Sequence, residues 1–181
     1  MSDPARRIRP ALHGDLPAVR SLIDHFIVHS AANFKLAPLT ADEAESWFAQ
    51  FSESGRYRIR VAEGGGGTGG GTGAAAEGAI AGFACTVPFH PRAAYATSVM
   101  ASIYIHPSHH RLGLGAALYS ALFASLHGEP IHRIYAGITL PNPPSIALHT
   151  RFGFRQVGHF HEAGHKFGTF HDVIWMEKPF P

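Results

Sequence analysis

The sequence predicts one domain of the mixed α/β class, with more strands than helices. A chain of 181 residues that is 45% hydrophobic has the length and apolar content for one compact core. Segments with a period of two, typical of strands, are interspersed with segments whose apolar residues recur at helical spacing. In the middle of the chain a strand, a glycine turn and a helix follow one another directly, which also favours this class.

The first part of the chain predicts a short strand followed by two helices. The strand lies at residues 8–12, and Asp15 is placed to cap a first helix. The apolar residues of that helix recur at helical spacing: Leu16, Val19, Leu22, Ile23, Phe26 and Ile27. Thr40 and Glu43 form a capping-box pattern, which predicts a second helix at 41–53.

Two further strands flank a glycine-rich segment. Tyr57, Ile59 and Val61 alternate with arginines, and the apolar run at 79–87 is a candidate partner strand. The segment at 64–77 contains no lysine followed by serine or threonine, so it does not match a P-loop. We expect a flexible hairpin loop there, tolerant of shortening.

The second half of the chain completes the predicted sheet. Strands are expected at 99–105, 133–138, 154–160 and 172–178. One helix follows the glycine turn, with an apolar face formed by Leu114, Ala117, Leu118, Ala121 and Leu122. A shorter helix lies at 142–153, where early prolines mark its beginning and Gly153 its end.

Composition excludes several classes of function. The formal net charge is only +2 and the basic residues are scattered, so neither nucleic acid nor an anionic membrane surface is indicated as a partner. No apolar run approaches the roughly 20 residues of a membrane span, and the N-terminus lacks the apolar core of a signal peptide, which predicts a cytoplasmic protein. The lone Cys85 lies in an apolar run and is expected to be a buried hydrophobic residue.

Fourteen histidines are more than this length leads one to expect. The spacing of His159, His161 and His165 could bring two or three imidazoles together. However, no carboxylate or cysteine completes a recognised ligand pattern in the local sequence. We therefore predict no metal site.

The segment from His110 to Ala116 has the character of an anion-binding turn. It lies where a strand leads into a helix, and Gly113 and Gly115 allow main-chain N–H groups to face outward. The N–H groups of a first helical turn have no intrahelical partner, and the helix dipole favours negative charge. A G-x-G turn on its own equally fits a tight turn without a ligand.

Four segments in order resemble a known family, the GCN5-related N-acetyltransferases. The turn HHRLGLG is similar to the family's Q/R-x-x-G-x-G/A loop, and NPPSIALHTRFGF is similar to its N-x-x-(x)-A-x-x-L-Y-x-x-x-G-F segment. The segments ANF, AYATSVMASIYIHPSHHRLGLG, LPNPPSIALHTRFGF and GHKFGTFHDV more narrowly resemble the phosphinothricin N-acetyltransferase group. The resemblance runs from Ile8 to the C-terminus, interrupted by the glycine-rich loop.

The resemblance implies a fold, a cosubstrate and the residues that hold it. The fold would be a mostly antiparallel, splayed sheet flanked by helices, with acetyl-CoA in the splay. Main-chain groups of the strand at 99–105 would bind the pantetheine arm, through Ile103, Tyr104 and Ile105. The turn would bind the pyrophosphate, through Arg111, Leu112, Gly113, Leu114, Gly115 and Ala116. Asn142 and Ser145, at the start of the shorter helix at 142–153, would contact the arm. Asn142 is equally expected to cap its helix.

Acyl transfer to an amine needs a neutral amine, a stabilised oxyanion and a proton for the thiolate. The main chain near Ile105 is the candidate oxyanion donor. His149 falls at the family's acid position, where it would protonate the thiolate or deprotonate the amine through water; alternatively it is a helix-face histidine bonded to the main chain. The group's usual glutamate base aligns with Met100, which cannot accept a proton. The base is then His149, Tyr104 or His171, or the amine arrives neutral.

The resemblance also implies an acceptor site and a homodimer. Phe34, Arg92 and Tyr95 match positions that line the amino-acid site in the group, and Arg92 could pair with a carboxylate or phosphinate. Lys166 and His171 lie in the segment that closes over that site or supports a dimer. The expected acceptor is a small amino acid or an analogue of the phosphinothricin or methionine sulfoximine type. Alternatives are a CoA-binding protein without efficient catalysis and an acetyltransferase for peptides, lysines or polyamines.

Overall fold

The computed structural model describes residues 7–64 and 80–181. Their strands are β1 (Ile8–Pro10), β2 (Ile59–Glu63), β3 (Ile80–Pro88), β4 (Ser98–Ile105), β5 (Arg133–Thr139), β6 (Arg155–Lys166) and β7 (Thr169–Pro179). Their α-helices are α1 (Leu16–His29), α2 (Ala41–Phe48), α3 (Leu114–Ser125) and α4 (Pro143–Arg151). The predicted glycine-rich loop at 64–77 lies outside the described residues except for Gly64. No helix in the described ranges is long and apolar enough to cross a membrane.

The strands form one seven-stranded sheet in the order β1-β2-β3-β4-β5-β7-β6. Every neighbouring pair is antiparallel except β4 and β5, which run parallel. The mixed α/β class with a mostly antiparallel sheet is confirmed. The parallel pair lies at the centre, between an N-terminal and a C-terminal antiparallel half.

Apolar cores cover the two faces of the sheet. On one face α1 and α2 pack on β2 and β3, with Phe83 and Cys85 fully buried. On the opposite face α3 packs on the alternate residues of the same strands and on β4, β5 and β7, with Ala84 and Ile134 fully buried. Because side chains alternate along a strand, adjacent residues such as Ala84 and Cys85 enter different cores.

The capping signals are partly confirmed. Thr40 Oγ1 accepts from the Glu43 N–H at 3.2 Å and Glu43 Oε2 accepts from the Thr40 N–H at 2.9 Å, as the capping-box pattern predicts. Asp15 occupies the N-cap position of α1 without making a side-chain cap. Its carboxylate instead accepts from Arg9 at 2.6 and 2.8 Å and from the Leu12 N–H at 2.7 Å. The ion pair with Arg9 thus replaces the predicted cap.

The predicted ends of α2, β6 and β7 were wrong. Helix α2 ends at Phe48 rather than at residue 53, because the chain turns after Ala49. Phe51 still packs edge-on against Trp47, with ring centroids 4.8 Å apart, so its apolar character reflects the core and not the helix. Strand β6 extends six residues beyond the predicted end at 160, to Lys166. Strand β7 extends one residue beyond the predicted end at 178, to Pro179. The extension of β6 is largely exposed and lacks the alternation that predicts a strand.

Candidate active site

A gap opens between β4 and β5 at the centre of the sheet. Their parallel pairing begins at Ser98 opposite Arg133 and stops at Met100 opposite Tyr135, although both strands continue. His106 N–H donates to Ala81 O on β3 at 2.8 Å. Because antiparallel residues alternate between bonded and non-bonded pairs, Ile103 and Ile105 direct their main-chain groups away from β3, into the gap. This open edge is suited to pairing with an extended amide-bearing ligand.

The glycine turn lies directly beyond this edge. Gly113 is the N-cap of α3 with φ 77°, a left-handed conformation that favours glycine, and it makes no side-chain cap. The first helical bond runs from the Ala117 N–H to Gly113 O at 3.2 Å. The N–H groups of Leu114, Gly115 and Ala116 therefore precede the hydrogen-bond ladder and are available to an anion.

The second glycine of the turn has a packing role. A Cβ at Gly115 would lie 3.0 Å from a methyl group of Leu148 on α4 and 3.3 Å from Ile105 Cδ1. Glycine here lets α3 approach both β4 and α4 closely. The exposed Arg111, with φ 61°, stands at the entrance of the turn. His110 closes it, since its Nε2–H donates to Ile105 O at 2.9 Å.

Helix α4 borders the gap from the other side. Asn142 Oδ1 accepts from the Ser145 N–H at 3.2 Å, so the predicted capping role of Asn142 is confirmed. A cis bond joins Leu140 to Pro141 ahead of it. Ser145 Oγ lies 3.3 Å from His149 Nδ1. The predicted cofactor residues of β4, the turn and α4 therefore converge on the gap.

His149 is enclosed and hydrogen-bonded at both ring nitrogens. Its side chain is only 3% exposed, its Nδ1–H donates to Ser145 O at 2.8 Å, and its Nε2 accepts from Tyr119 Oη at 2.8 Å. Burial lowers the pKa of His149 and raises that of Tyr119, so the imidazole stays neutral and the phenol stays protonated. These contacts match the interpretation as a helix-face histidine. A catalytic role for His149 stays a prediction, and it requires the hydrogen bond between His149 Nε2 and Tyr119 Oη to break.

A cavity of about 630 Å³ lies on the other face of β4, beneath α1 and α2. Ser102, Tyr104 and Cys85 line it from the sheet. Burial raises the pKa of the Cys85 thiol and of the Tyr104 phenol to about 12 in each case, so both stay protonated at neutral pH. Tyr104 can thus donate a proton or a hydrogen bond, but it is unsuited to the role of base considered from the sequence.

Comparison with known proteins identifies the family. Residues 36–154 match the acetyltransferase (GNAT) family. The chain is 39% identical to a phosphinothricin N-acetyltransferase of Streptomyces coelicolor, covering 96% of this chain and 95% of that protein. It is 28% identical to an L-methionine sulfoximine/L-methionine sulfone acetyltransferase of Pseudomonas aeruginosa, covering 94% and 92%. The structure of a Salmonella typhimurium acetyltransferase with its cofactor acetyl-CoA superposes with a TM-score of 0.84 at 26% identity, covering 98% and 95%.

The chain belongs to the GNAT family. It is an N-acetyltransferase, and its splayed sheet is the fold of that family. The resemblance stated from the sequence motifs is therefore confirmed at the level of family and fold. The roles of the individual site residues stay predictions.

Three of the predicted substrate residues lie together beside the cavity. The Phe34 ring covers Gly164 so closely that a Cβ at residue 164 would lie 2.3 Å from the ring. The centroids of the Phe34 and His171 rings are 6.1 Å apart. Lys166 is 4% exposed, and its Nζ donates to Ser30 O at 3.0 Å and to Asn33 O. The β6–β7 hairpin is thereby fastened to the loop between α1 and α2.

Arg92 and Tyr95 lie in a different place. They belong to the short 3₁₀ segment before β4, where Tyr95 packs on His90 and Phe89 at centroid distances of 4.7 and 5.7 Å. Phe89 in turn stacks on Tyr135 at 4.4 Å. The exposed Arg92 donates its main-chain N–H to His90 Nδ1 at 3.2 Å. The described residues that line the cavity do not include Arg92 or Tyr95.

Several residues of the site were missed from the sequence. Asn33 Nδ2 donates to Tyr104 Oη at 3.3 Å, and Lys35, Asp42 and Glu43 stand around the cavity, where Lys35 pairs with Glu43 at 2.8 Å. The sequence signal was the ANF segment, of which only Phe34 was assigned a role. The buried Tyr119 was also missed, because a tyrosine on an apolar helix face looks like any core aromatic residue.

Proposed function

We propose that this protein transfers the acetyl group of acetyl-CoA directly to the amine of a small amino acid or analogue, of the phosphinothricin or methionine sulfoximine type. One observation carries the proposal. The main-chain groups of Ile103 and Ile105 face the β4–β5 gap, whereas the side chain of Tyr104 between them lines the cavity. Neighbouring residues of one strand therefore adjoin both the proposed donor site and the proposed acceptor site. The names of the relatives support the choice of acceptor.

The donor side fits acetyl-CoA. The open main-chain edge at Ile103 and Ile105 would bind the amides of the pantetheine arm, and the N–H groups at the start of α3 would bind the pyrophosphate. Arg111 at the turn adds positive charge. When bound, acetyl-CoA supplies the activated acyl thioester. The main-chain N–H of Ile105 is our candidate for the donor that stabilises the oxyanion.

Tyr104 is our candidate for the hydrogen-bond donor to the leaving thiolate. A thiol has a pKa near 8.5 in water, well below the raised pKa of the Tyr104 phenol, so a full proton transfer from the phenol to the thiolate is uphill. The phenol therefore acts as a hydrogen-bond donor that stabilises the developing thiolate as the C–S bond breaks. Asn33, held by Lys166 at its carbonyl and bonded to Tyr104, keeps the phenol in position.

The amine arrives neutral, or it loses its proton to water or to His171. Met100 occupies the expected position of the base, and the alternation along β4 puts it on the same face as Ser102 and Tyr104. His171 donates Nε2–H to Lys166 O at 3.1 Å, which leaves Nδ1 as the ring nitrogen that could accept a proton. We therefore expect activity to rise with pH as the acceptor amine becomes neutral.

Asp42 at the cavity favours a second candidate acceptor. Its carboxylate stands near Glu43, which is already paired with Lys35. A carboxylate at this place would suit an acceptor that carries a further cationic group, such as a polyamine or a basic peptide. Arg92 does not line the cavity. If the acceptor is a small amino acid, its carboxylate would therefore bind Lys35.

A thiol-release assay with acetyl-CoA tests the proposal. We expect thiol release with phosphinothricin and methionine sulfoximine, and little with putrescine, spermidine or short basic peptides. The reverse preference, abolished by Asp42→Asn, would establish the second candidate. Absence of release with every amine, despite acetyl-CoA binding, would contradict both. Met100→Glu is the matched gain-of-function variant, because it restores a carboxylate base and should raise turnover near neutral pH.

Assembly and location stay predictions of the family resemblance. A homodimer in the cytoplasm is what the resemblance implies. Analytical ultracentrifugation of the full chain tests for the homodimer. The sedimentation coefficient of a monomer at micromolar concentration would contradict a dimer.

A further inference from the structure

The β6–β7 hairpin carries two histidines and an aspartate that the acetylation chemistry does not use. His159 Nε2 lies 2.7 Å from Asp172 Oδ2, and His161 Nδ1 lies 3.2 Å from the same oxygen. The two imidazole centroids are 4.1 Å apart. One ligand atom from each of the three residues lies within 4.8 Å of the others. Three donor atoms thus converge on one point of the surface.

An enlarged β-bulge produces this convergence. Phe160 pairs with Val173 and Gly164 pairs with His171, so residues 161–163 all lie opposite Asp172. Three residues against one is more than a simple bulge, and Glu162 adopts a φ of 51°, which is uncommon for a residue with a side chain. The bulge turns His161 toward the same carboxylate as His159.

The main chain of the bulge also orients the carboxylate. The Glu162 N–H donates to Asp172 Oδ1 at 2.8 Å, which leaves Oδ2 facing both imidazoles. Outer hydrogen bonds of this kind fix the ligand atoms of metal sites before an ion binds. The described structure therefore presents a preformed arrangement and not three independently moving side chains.

We propose that His159, His161 and Asp172 form a binding site for a zinc ion. Imidazole nitrogen and carboxylate oxygen are ligands that zinc binds at about 2.0–2.2 Å, which places two ligand atoms roughly 3.0–3.4 Å apart. The His161 contact already has that spacing, and the His159 contact needs to widen by less than ~1 Å. His161 is 75% exposed, so the remaining coordination position is open to water or another ligand.

The location indicates what the ion would hold together. Two ligands lie on β6 and one on β7, and Asp172 O accepts from the Leu140 N–H at 2.9 Å. Leu140 begins the segment that leads from β5 to Asn142 and α4. A bound ion would fix the bulge of β6 to β7, beside the connection that carries the proposed cofactor-binding residues. The sequence predicted no metal because the aspartate comes from the next strand.

Calorimetric titration of the chelator-treated full chain with zinc chloride tests this proposal. We expect one ion per chain with a Kd in the micromolar range or tighter. His161→Ala and Asp172→Asn should each weaken binding at least tenfold. His161 is exposed, so its replacement should leave the fold intact. Zinc at a hundredfold excess over Kd should also raise the Tm by roughly 5 °C or more, and this shift should vanish in the variants.

Two histidine variants serve as matched controls. His165→Ala removes an imidazole from the same strand, outside the cluster. His25→Ala removes one from the group of His25, His29 and His106, whose centroids are 4.9 and 5.6 Å apart. Both variants should bind zinc as the unaltered chain does. Binding that is lost in His25→Ala but retained in His161→Ala would overturn the proposal, and so would a Kd near millimolar in the unaltered chain.

Discussion

The donor and acceptor sides of β4 are constructed differently. On the donor side the candidate ligand-binding groups are mostly main-chain groups of the open strand edge and of the first turn of α3. On the acceptor side they are side chains from the α1–α2 loop, α2, β3 and β4, which converge around the cavity. A binding site formed by main-chain groups of consecutive residues can be recognised as a short motif in the sequence. A site formed by side chains from distant parts of the chain has no such motif. Variants on the two sides should therefore separate binding of acetyl-CoA from turnover.

Tyr104→Phe should show the largest effect, on the acceptor side. Loss of the phenolic donor should lower kcat on the order of 10², because a positioned hydrogen-bond donor to developing charge contributes about that much. The affinity for acetyl-CoA should stay unchanged, since the main chain of residue 104 is retained. Thiol-release kinetics and calorimetry measure the two quantities. A variant with full kcat would remove Tyr104 from the mechanism.

His149→Ala tests whether α4 contributes chemistry or structure. The substitution leaves the buried Tyr119 hydroxyl without its acceptor and creates a cavity, so we expect the free energy of unfolding to fall by about 2–4 kcal/mol. Urea denaturation measures this. Adding Tyr119→Phe should recover part of the loss, because the orphaned hydroxyl is then absent. A fall in kcat on the order of 10² at unchanged stability would instead support the proton-transfer role predicted from the sequence.

Gly113→Asp should break the donor side. It places a side chain at φ 77° and a negative charge at the start of α3, so acetyl-CoA binding should weaken more than about tenfold, a loss of over ~1.4 kcal/mol. Gly128→Asp is the matched control. Gly128 has φ 83° and open space around its Cβ position, and it lies outside the turn. Calorimetry should show nearly unchanged affinity in the control. Equal weakening in both variants would contradict the assignment of the turn.

The difference between the two sides explains how much could be predicted from the sequence. The fold class, the strand–turn–helix unit, the α2 capping box and the Asn142 cap depend on local spacing, and the structure agrees with each of them. Asn33 at the cavity and the contact of His149 with Tyr119 depend on residues 71 and 30 positions apart, which no local pattern encodes. The Asp15 cap was wrong for a different reason, because Arg9, only six positions earlier, competes for the same carboxylate.

High pH provides the most local test of the cavity. Burial raises the pKa of Cys85 from 9.0 to about 12 and that of Tyr104 from 10.0 to about 12. Above pH 9 the unfolded chain releases the Cys85 proton while the folded chain keeps it, so the stability present below pH 9 is lost as pH rises toward 12. Tyr104 adds a loss of the same sign from pH 10.

Comparison of the unaltered chain with Cys85→Ala isolates the contribution of the thiol. Between pH 9 and 12 the free energy of unfolding of the unaltered chain should fall more steeply, by up to about 1.4 kcal/mol per pH unit. Urea denaturation across this range measures both slopes. Lysines and other groups that do not interact with Cys85 affect both chains alike and cancel in the difference. The pKa of Tyr104 is raised mainly by burial and additionally by the Cys85 charge, so the difference also contains this coupling. Parallel curves would mean that the thiol at the cavity wall reaches water in the folded state, and the cavity would then be more open than its lining residues indicate.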